Sequence, residues 1–237
     1  MPVYRIPSQH VFPDPTSAQP DGLLGVGGDL HPRRLMLAYN NGIFPWYNEG
    51  QPILWFSPDP RFVIFPDALV INRSLRKVVR KRKFEIRLDT QFAAVVQACR
   101  QMSRPRQKGS WITEEMAEAY TKLHEEGHAH SVEAFLDGEL VGGLYGVGVG
   151  TLFSGESMFA HVSDASKVAF VWLVEQLKRW GYRLIDCQVP TDHLGRFGAV
   201  EISRQRYLEQ LSICRTAQGR EGTWTFDSDF SGASVIE

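Results

Sequence analysis

Up to about residue 60 the chain has little periodic pattern of apolar and polar positions; glycine, proline and aromatic residues dominate it. One helix is predicted there, over Asp29 to Asn41, with Asp29 as its cap, Leu35, Leu37, Ala38 and Tyr39 as apolar positions and Gly42 as its stop. The stretches Gly42 to Tyr47 and Ile53 to Arg61 are aromatic runs broken by proline, which predicts rigid loops or edge strands. Regular elements begin at Phe62. A strand over Phe62 to Phe65 precedes a basic helix over Asn72 to Lys83, a strand over Phe84 to Leu88 and a helix over Gln91 to Arg100. Thr113 opens a further helix with Glu114 and Glu115 in its first turn, Met116, Tyr120 and Leu123 at helical spacing, and Gly127 as its end. Ser131 to Leu136 turns at Asp137-Gly138 into Leu140 to Val147, and Thr151 to Phe159 continues an antiparallel meander. Ser163 or Asp164 caps a long helix through Trp180, and a strand over Tyr182 to Val189 returns from it. This order predicts an α+β fold with a mixed sheet, preceded by a small N-terminal domain over residues 1–61, with residues 62–237 as the second domain.

Composition narrows the class. A chain of 237 residues, 43% hydrophobic, can bury a sizeable core. No apolar run approaches the length that crosses a bilayer, and the N-terminal stretch lacks the make-up of a secretory signal. Three scattered cysteines, Cys99, Cys187 and Cys214, form neither a disulfide framework nor a metal-ligand spacing, so a reducing cytoplasm is expected and no metal. The formal net charge of −1 conceals a strong asymmetry. Between Arg73 and Lys108 twelve basic residues face only Glu85 and Asp89, a local charge of +10, while the rest of the chain carries −11. That region is suited to a polyanion, although a short basic run by itself is usually a solvated helix face.

Candidate chemistry lies in two strands. Along Tyr182 to Val189, side-chain alternation puts Leu184, Asp186 and Gln188 on one face and Ile185, Cys187 and Val189 on the other. A carboxylate and an amide in so apolar a strand must find partners, either in a purely structural network or in a functional site. Glu156, between Gly155 and Ser157, is read either as an edge-strand charge or as a ligand contact that Gly155 makes room for. Cys187 reads as core, and His128 and His130 lack a third ligand nearby in sequence. The run Gly146-Val-Gly-Val-Gly150 lies between strands and is no dinucleotide turn. Trp46 and Trp111, in loop or boundary segments, are candidates for stacking on a base.

Six collinear segments carry a resemblance: Gly42 to Trp46, Trp55 to Arg61, Gly109 to Thr113, Gly127 to Ser131, Ser154 to Phe159 and Leu184 to Gln188. Together they resemble the leucyl/phenylalanyl-tRNA–protein transferase family, from about Gly22 to Leu208; the tail after Leu211 adds nothing to the likeness. The resemblance implies an acetyltransferase-like (GNAT) second domain and transfer of leucine or phenylalanine, less well methionine, from aminoacyl-tRNA to proteins beginning with arginine or lysine, marking them for degradation. It implies a catalytic pair at Asp186 and Gln188 with Glu156 as a third polar residue. It places Tyr39, Trp46, Trp111 and Tyr120 around the terminal adenosine and aminoacyl end. Leu144, Phe153, Met158, Leu173 and Ile185 would enclose the amino-acid side chain; the family pattern has methionine at 144 and an aromatic at 173, so both positions depart from it but stay apolar. The helix bearing Arg73, Arg76, Arg80 and Lys83 would bind tRNA.

An aminoacyl ester is already activated, so no cofactor is expected, and holding a neutral amine against the ester supplies up to about 7–11 kcal/mol. An N-terminal amine, with a pKa of about 8, is partly neutral at pH 7. In this reading Asp186 orients Gln188, whose amide oxygen accepts a proton of the amine, and Glu156 holds the ester end or the cationic acceptor. The chain is expected to act as a cytoplasmic monomer away from membranes. Two rivals stand beside it: an acetyl-CoA-dependent acetyltransferase, disfavoured because Met158 to Asp164 lacks a glycine-rich pyrophosphate turn, and a non-catalytic tRNA-binding module, which leaves Asp186 and Gln188 unexplained.

Overall fold

A computed structural model describes residues 3–102 and 111–230. Strands β1 (Tyr4–Ile6), β2 (Leu23–Gly27), β3 (Phe44–Pro45) and β4 (Leu54–Phe56) form a four-stranded sheet in the order β1-β2-β4-β3. The N-terminal aromatic runs are therefore sheet, and its strands of two to five residues are too short to show a period. Helix α1 (Pro32–Asn40) lies between β2 and β3. Its cap is His31, whose ring accepts from the Arg33 N–H, whereas Asp29, the expected cap, is ion-paired with the fully buried Arg34. The same guanidinium donates to the carbonyls of Pro7, Ser8 and Gln9, tying the N-terminal segment to α1.

The second sheet has seven strands, β5 (Arg61–Ile64), β6 (Glu85–Leu88), β7 (Ala129–Leu136), β8 (Glu139–Val149), β9 (Leu152–Ala160), β10 (Leu184–Gln188) and β11 (Val200–Ile202), in the order β11-β5-β10-β9-β8-β7-β6. It is mixed: β7, β8 and β9 form the expected antiparallel meander, while β10 runs parallel to β9 and antiparallel to β5. A parallel neighbour needs a crossover, supplied by the long helix α5 (Ala165–Arg179). Asp164 sits at the N-terminal boundary of α5 in a left-handed conformation, φ 68°, and binds Lys167 instead of capping.

Helices cover both faces of this sheet. Helices α3 (Phe92–Gln101) and α4 (Glu114–Glu125) share with α1 a core that also takes in Leu152, Leu184 and Tyr145 and continues into the small sheet through Ile6, Leu24 and Trp55. Thr113 caps α4 as expected, by accepting from the Met116 N–H. Helix α2 (Arg73–Arg80), capped by Asn72, and α5 cover the other face, with Leu144, Phe153 and Ile185 in their core. Two helices follow β10: the short α6 (Asp192–Gly195), and, after β11, the longer α7 (Arg204–Thr216). The tail beyond α7 is an integral part of the second core. Trp224 is fully buried, stacked on His130 at 3.7 Å and 5° and set edge-on to Trp180 and Tyr182.

The sheet carries two neighbouring irregularities. Between β8 and β9 the register passes from Tyr145↔Ser157 to Gly146↔Gly155, leaving Glu156 as the extra residue of a bulge. Between β10 and β5 it passes from Asp186↔Val63 to Gln188↔Phe62, leaving Cys187 as the extra residue. Parallel pairing of β9 with β10 covers only Leu152, Phe153 and Ser154 against Leu184, Ile185 and Asp186. Bulges re-aim side chains and break the ladder. Here they lie side by side where two parallel strands part.

Candidate active site

Glu156, Asp186 and Gln188 meet at that parting point. Strand β9 lies between β8 and β10, so Glu156 is an interior residue of the sheet, not an edge-strand charge. Gln188 adopts φ 63°, a left-handed conformation uncommon for a residue with a side chain and found where surrounding structure enforces it. Its backbone N–H donates to Asp186 Oδ1 at 2.9 Å, and its Nε2 donates to Glu156 Oε1 at 2.8 Å. Asp186 thus holds Gln188 through its backbone, while Glu156 fixes the amide, leaving Gln188 Oε1 as an acceptor. The close-approach glycine is Gly146, where a Cβ would lie 2.2 Å from the Ser154 carbonyl oxygen and 2.5 Å from the Phe153 ring; at Gly155 it would meet nothing nearer than 3.7 Å.

Asp186 is held by a residue that the sequence placed at the end of one resembling segment but gave no role. Arg61, first residue of β5, donates through Nε to Asp186 Oδ1 at 2.8 Å and through Nη2 to Oδ2 at 2.6 Å. Its guanidinium lies over the rings of Tyr207 (4.4 Å) and Phe44 (4.9 Å) and donates to the Gly42 carbonyl. The Tyr207 hydroxyl, from α7, donates to Asp186 Oδ2 at 2.8 Å. Burial lowers the guanidinium pKa, but the Asp186 charge outweighs it and the net shift is upward, so Arg61 stays a cation. Both members of the pair are 1% exposed, and a buried pair of this kind requires its full hydrogen-bond set.

Glu156 has other neighbours. It accepts from the Tyr120 hydroxyl at 3.1 Å, and the Tyr120 and Tyr39 oxygens lie 2.5 Å apart. Burial pushes the Glu156 carboxyl up to about 7, against hydrogen bonds from Tyr39, Tyr120 and Gln188 and with the charge of Asp186. Burial, and then the Glu156 charge, likewise drives the Tyr39 and Tyr120 hydroxyls well above their ordinary pKa, so both remain neutral. Their rings are buried and their hydroxyls are turned to this chain. Of the other two residues expected around the adenosine, Trp46 is 41% exposed and edge-on to Phe56, and Trp111 is buried.

The five expected pocket residues belong to the α2/α5 core: Leu144, Phe153, Leu173 and Ile185 are fully buried there, and Met158 packs against it opposite Leu144. They therefore lie across the sheet from Leu184, which faces the other core with Asp186 on its side of β10. Cys187 is also core, its thiol pushed up by burial. His130 donates from Nδ1 to the Asp89 carboxylate (2.8 Å) under Trp224, a structural contact. Among the described residues no cluster of three or more metal-binding side chains occurs.

Helix α2 presents Arg73, Lys77 and Arg80 to solvent, followed by exposed Lys81, Arg82 and Lys83, with Arg76 half-buried. None of these has an ion-pair partner among the described residues, whereas Arg87 and Arg100 are paired with Glu85 and Glu114. The remaining expected cations, Arg104, Arg106 and Lys108, lie outside the described residues. No described helix is long and apolar enough to cross a membrane.

Known proteins similar to this chain are numerous and close. A relative from Myxococcus xanthus named leucyl/phenylalanyl-tRNA–protein transferase is 56% identical, covering 95% of this chain and 97% of that protein. One of the same name from Nitratidesulfovibrio vulgaris is 54% identical over 97% of this chain and 99% of that protein. The solved structure of L-PGS from Bacillus licheniformis is a remote likeness, 13% identical with a TM-score of 0.41, covering 72% of this chain and 54% of that one. The family model described as leucyl/phenylalanyl-tRNA protein transferase matches residues 63–212, and that of its N-terminal domain matches residues 28–59. With those matches and identities above half along nearly its whole length, the chain belongs to the leucyl/phenylalanyl-tRNA–protein transferase family.

Proposed function

We propose that this enzyme, an aminoacyltransferase, moves leucine or phenylalanine from its tRNA to the α-amine of an acceptor protein beginning with arginine or lysine, marking that protein for degradation. The observation that carries the reading is the 56% identity, over 95% of the chain, to a named transferase of this kind. In this reading Gln188 Oε1 accepts an N–H of the incoming amine and aims its lone pair at the ester carbonyl. Glu156 holds the amide in that orientation, and Asp186, locked by Arg61 and Tyr207, holds the backbone that presents it. The exposed cations of α2 take phosphates of the tRNA without reading bases. Trp46 offers its open ring for stacking on the terminal adenine, and Tyr39, Tyr120 and Trp111 frame the aminoacyl end. Leu144, Phe153, Met158, Leu173 and Ile185, packed on the face of the sheet away from Asp186, take the side chain by parting where β9 and β10 separate, and burial of leucine or phenylalanine there contributes about 1.5–3 kcal/mol. The catalytic domain is acetyltransferase-like, and the protein acts as a cytoplasmic monomer.

The test uses purified aminoacyl-tRNA. Labelled leucine and phenylalanine should appear on an acceptor with N-terminal arginine and not on its glutamate-initiated counterpart. Equal labelling of both acceptors, or none, contradicts the reading.

A further inference from the structure

The two carboxylates of the network differ in what holds them: a buried guanidinium binds Asp186, and only hydroxyls and an amide bind Glu156. A carboxylate accepts at about four lone-pair sites. Asp186 has filled them: Oδ1 accepts from Arg61 Nε and the Gln188 N–H, and Oδ2 from Arg61 Nη2 and the Tyr207 hydroxyl, all within 2.9 Å. Glu156 is held only by neutral groups: Gln188 Nε2 on one oxygen at 2.8 Å, the Tyr120 hydroxyl on the other at 3.1 Å, the Tyr39 hydroxyl, and at 3.5 Å the Ser154 hydroxyl, which lies equally far from Asp186. We propose that Glu156, not Asp186, takes the proton from the attacking amine and returns it to the departing ribose oxygen.

This rests on the transfer reaction proposed above. Amine nitrogen bonds to the ester carbon, a proton passes from that nitrogen to the Glu156 carboxylate, and the carbon–ribose-oxygen bond breaks as the same proton reaches the oxygen. The carboxylate is regenerated, and no other reactant is consumed. Gln188 positions the amine beside Glu156 and keeps its own protons.

The surroundings of Glu156 favour a reversible proton. From α4 and α1 it faces the hydroxyls of Tyr120 and Tyr39; from β10 it faces Gln188 and the charge of Asp186, which Arg61 of β5 and Tyr207 of α7 bind. When Glu156 is ionised, Tyr120 donates to it; when it is protonated, its own O–H can donate to Tyr120, and the Tyr39–Tyr120 bond reverses without any residue moving. Its carboxyl, raised to about 7 by burial, lies where a group can both accept and release a proton at neutral pH.

The test is the pH dependence of single-turnover leucine transfer. The wild-type rate should fall as pH drops through about 7, apart from the amine's own titration near 8. Glu156→Gln should lose about 10²-fold or more of the rate, together with the limb near 7, while its KM for tRNA stays unchanged. A Glu156→Gln protein with the wild-type rate and profile, or a limb abolished by Asp186→Asn instead, overturns the proposal. Should Glu156→Gln not fold, infrared spectra of the intact wild type provide the check. A neutral carboxylic C=O band should grow in as pH falls through about 7, and should persist in Asp186→Asn and in Glu133→Gln, which removes the other buried carboxyl with a raised pKa among the described residues. No such band, or one lost with either variant, overturns it. A wild type that transfers nothing sinks the transferase reading; one that transfers while Glu156→Gln is unaffected sinks only the role of Glu156.

Discussion

Asp89 and Glu133, toward the β6 edge of the large sheet, take many of their hydrogen bonds from the backbone: Asp89 from the N–H groups of Ser131 and Trp224, Glu133 from those of Thr90 and Gln91. Asp186 and Glu156 take theirs almost wholly from side chains, those of Arg61, Tyr207, Tyr120 and Gln188. Both pairs are buried in the same sheet, yet the consequences differ. Backbone donors are fixed by the fold, so the first pair serves as a clasp that starts α3 and holds the C-terminal tail. Side-chain donors can rotate toward a substrate, and the second pair adds a cation and a carboxyl that titrates near 7. A buried acid marks chemistry only when its partners are free to change.

Substitutions in the two regions should separate these roles. Trp224→Ala opens a large hole beside His130 and should cost about 3–5 kcal/mol in denaturant unfolding, with the pH profile of transfer unchanged. Arg61→Met strands the buried Asp186 charge and should also cost about 3–5 kcal/mol, but with a collapse of kcat in whatever protein remains folded. Equal kinetic damage from both would erase the distinction.

Glu156 makes a further prediction with a sign. Its folded pKa, about 7, exceeds its ordinary value of 4.5, so between those values the folded state holds a proton that the unfolded chain has released. The stability associated with that proton is complete below about pH 4.5 and lost as pH rises through 7. Glu156→Gln should therefore be more stable than wild type at pH 8, by about 2–3 kcal/mol, with the advantage vanishing toward pH 4.5 in urea titrations. Smaller still is the effect of α2. Arg76→Glu with Arg80→Glu should raise the tRNA KM several-fold and lower the salt slope by about one unit for each phosphate no longer neutralised. An unchanged slope would remove α2 from the tRNA surface.

Much of this contrast was readable in the sequence where periodicity is long. The meander, the Thr113 cap and the alternation that sets Asp186 opposite Cys187 all follow from local pattern. The N-terminal sheet did not, because its strands are too short and too broken by proline to carry a period. Arg61 is 125 residues from Asp186 and stands at the end of a Pro-rich segment, where nothing local announces a buried ion pair. Trp224 lies in a tail without pattern, and its burial depends on a cavity lined by Phe153, His130, Trp180 and Tyr182, residues distributed over four elements or their ends. The bulges at Glu156 and Cys187 come from register between strands, which a single strand cannot display.

The claim that the Gln188 amide aligns the attacking amine is tested most directly by single-turnover leucine transfer to an acceptor with N-terminal arginine, comparing wild type with Gln188→Ala at equal folded concentration. A loss of about 10²-fold in rate, with tRNA affinity retained, is the predicted result. A Gln188→Ala protein that transfers at the wild-type rate would contradict it.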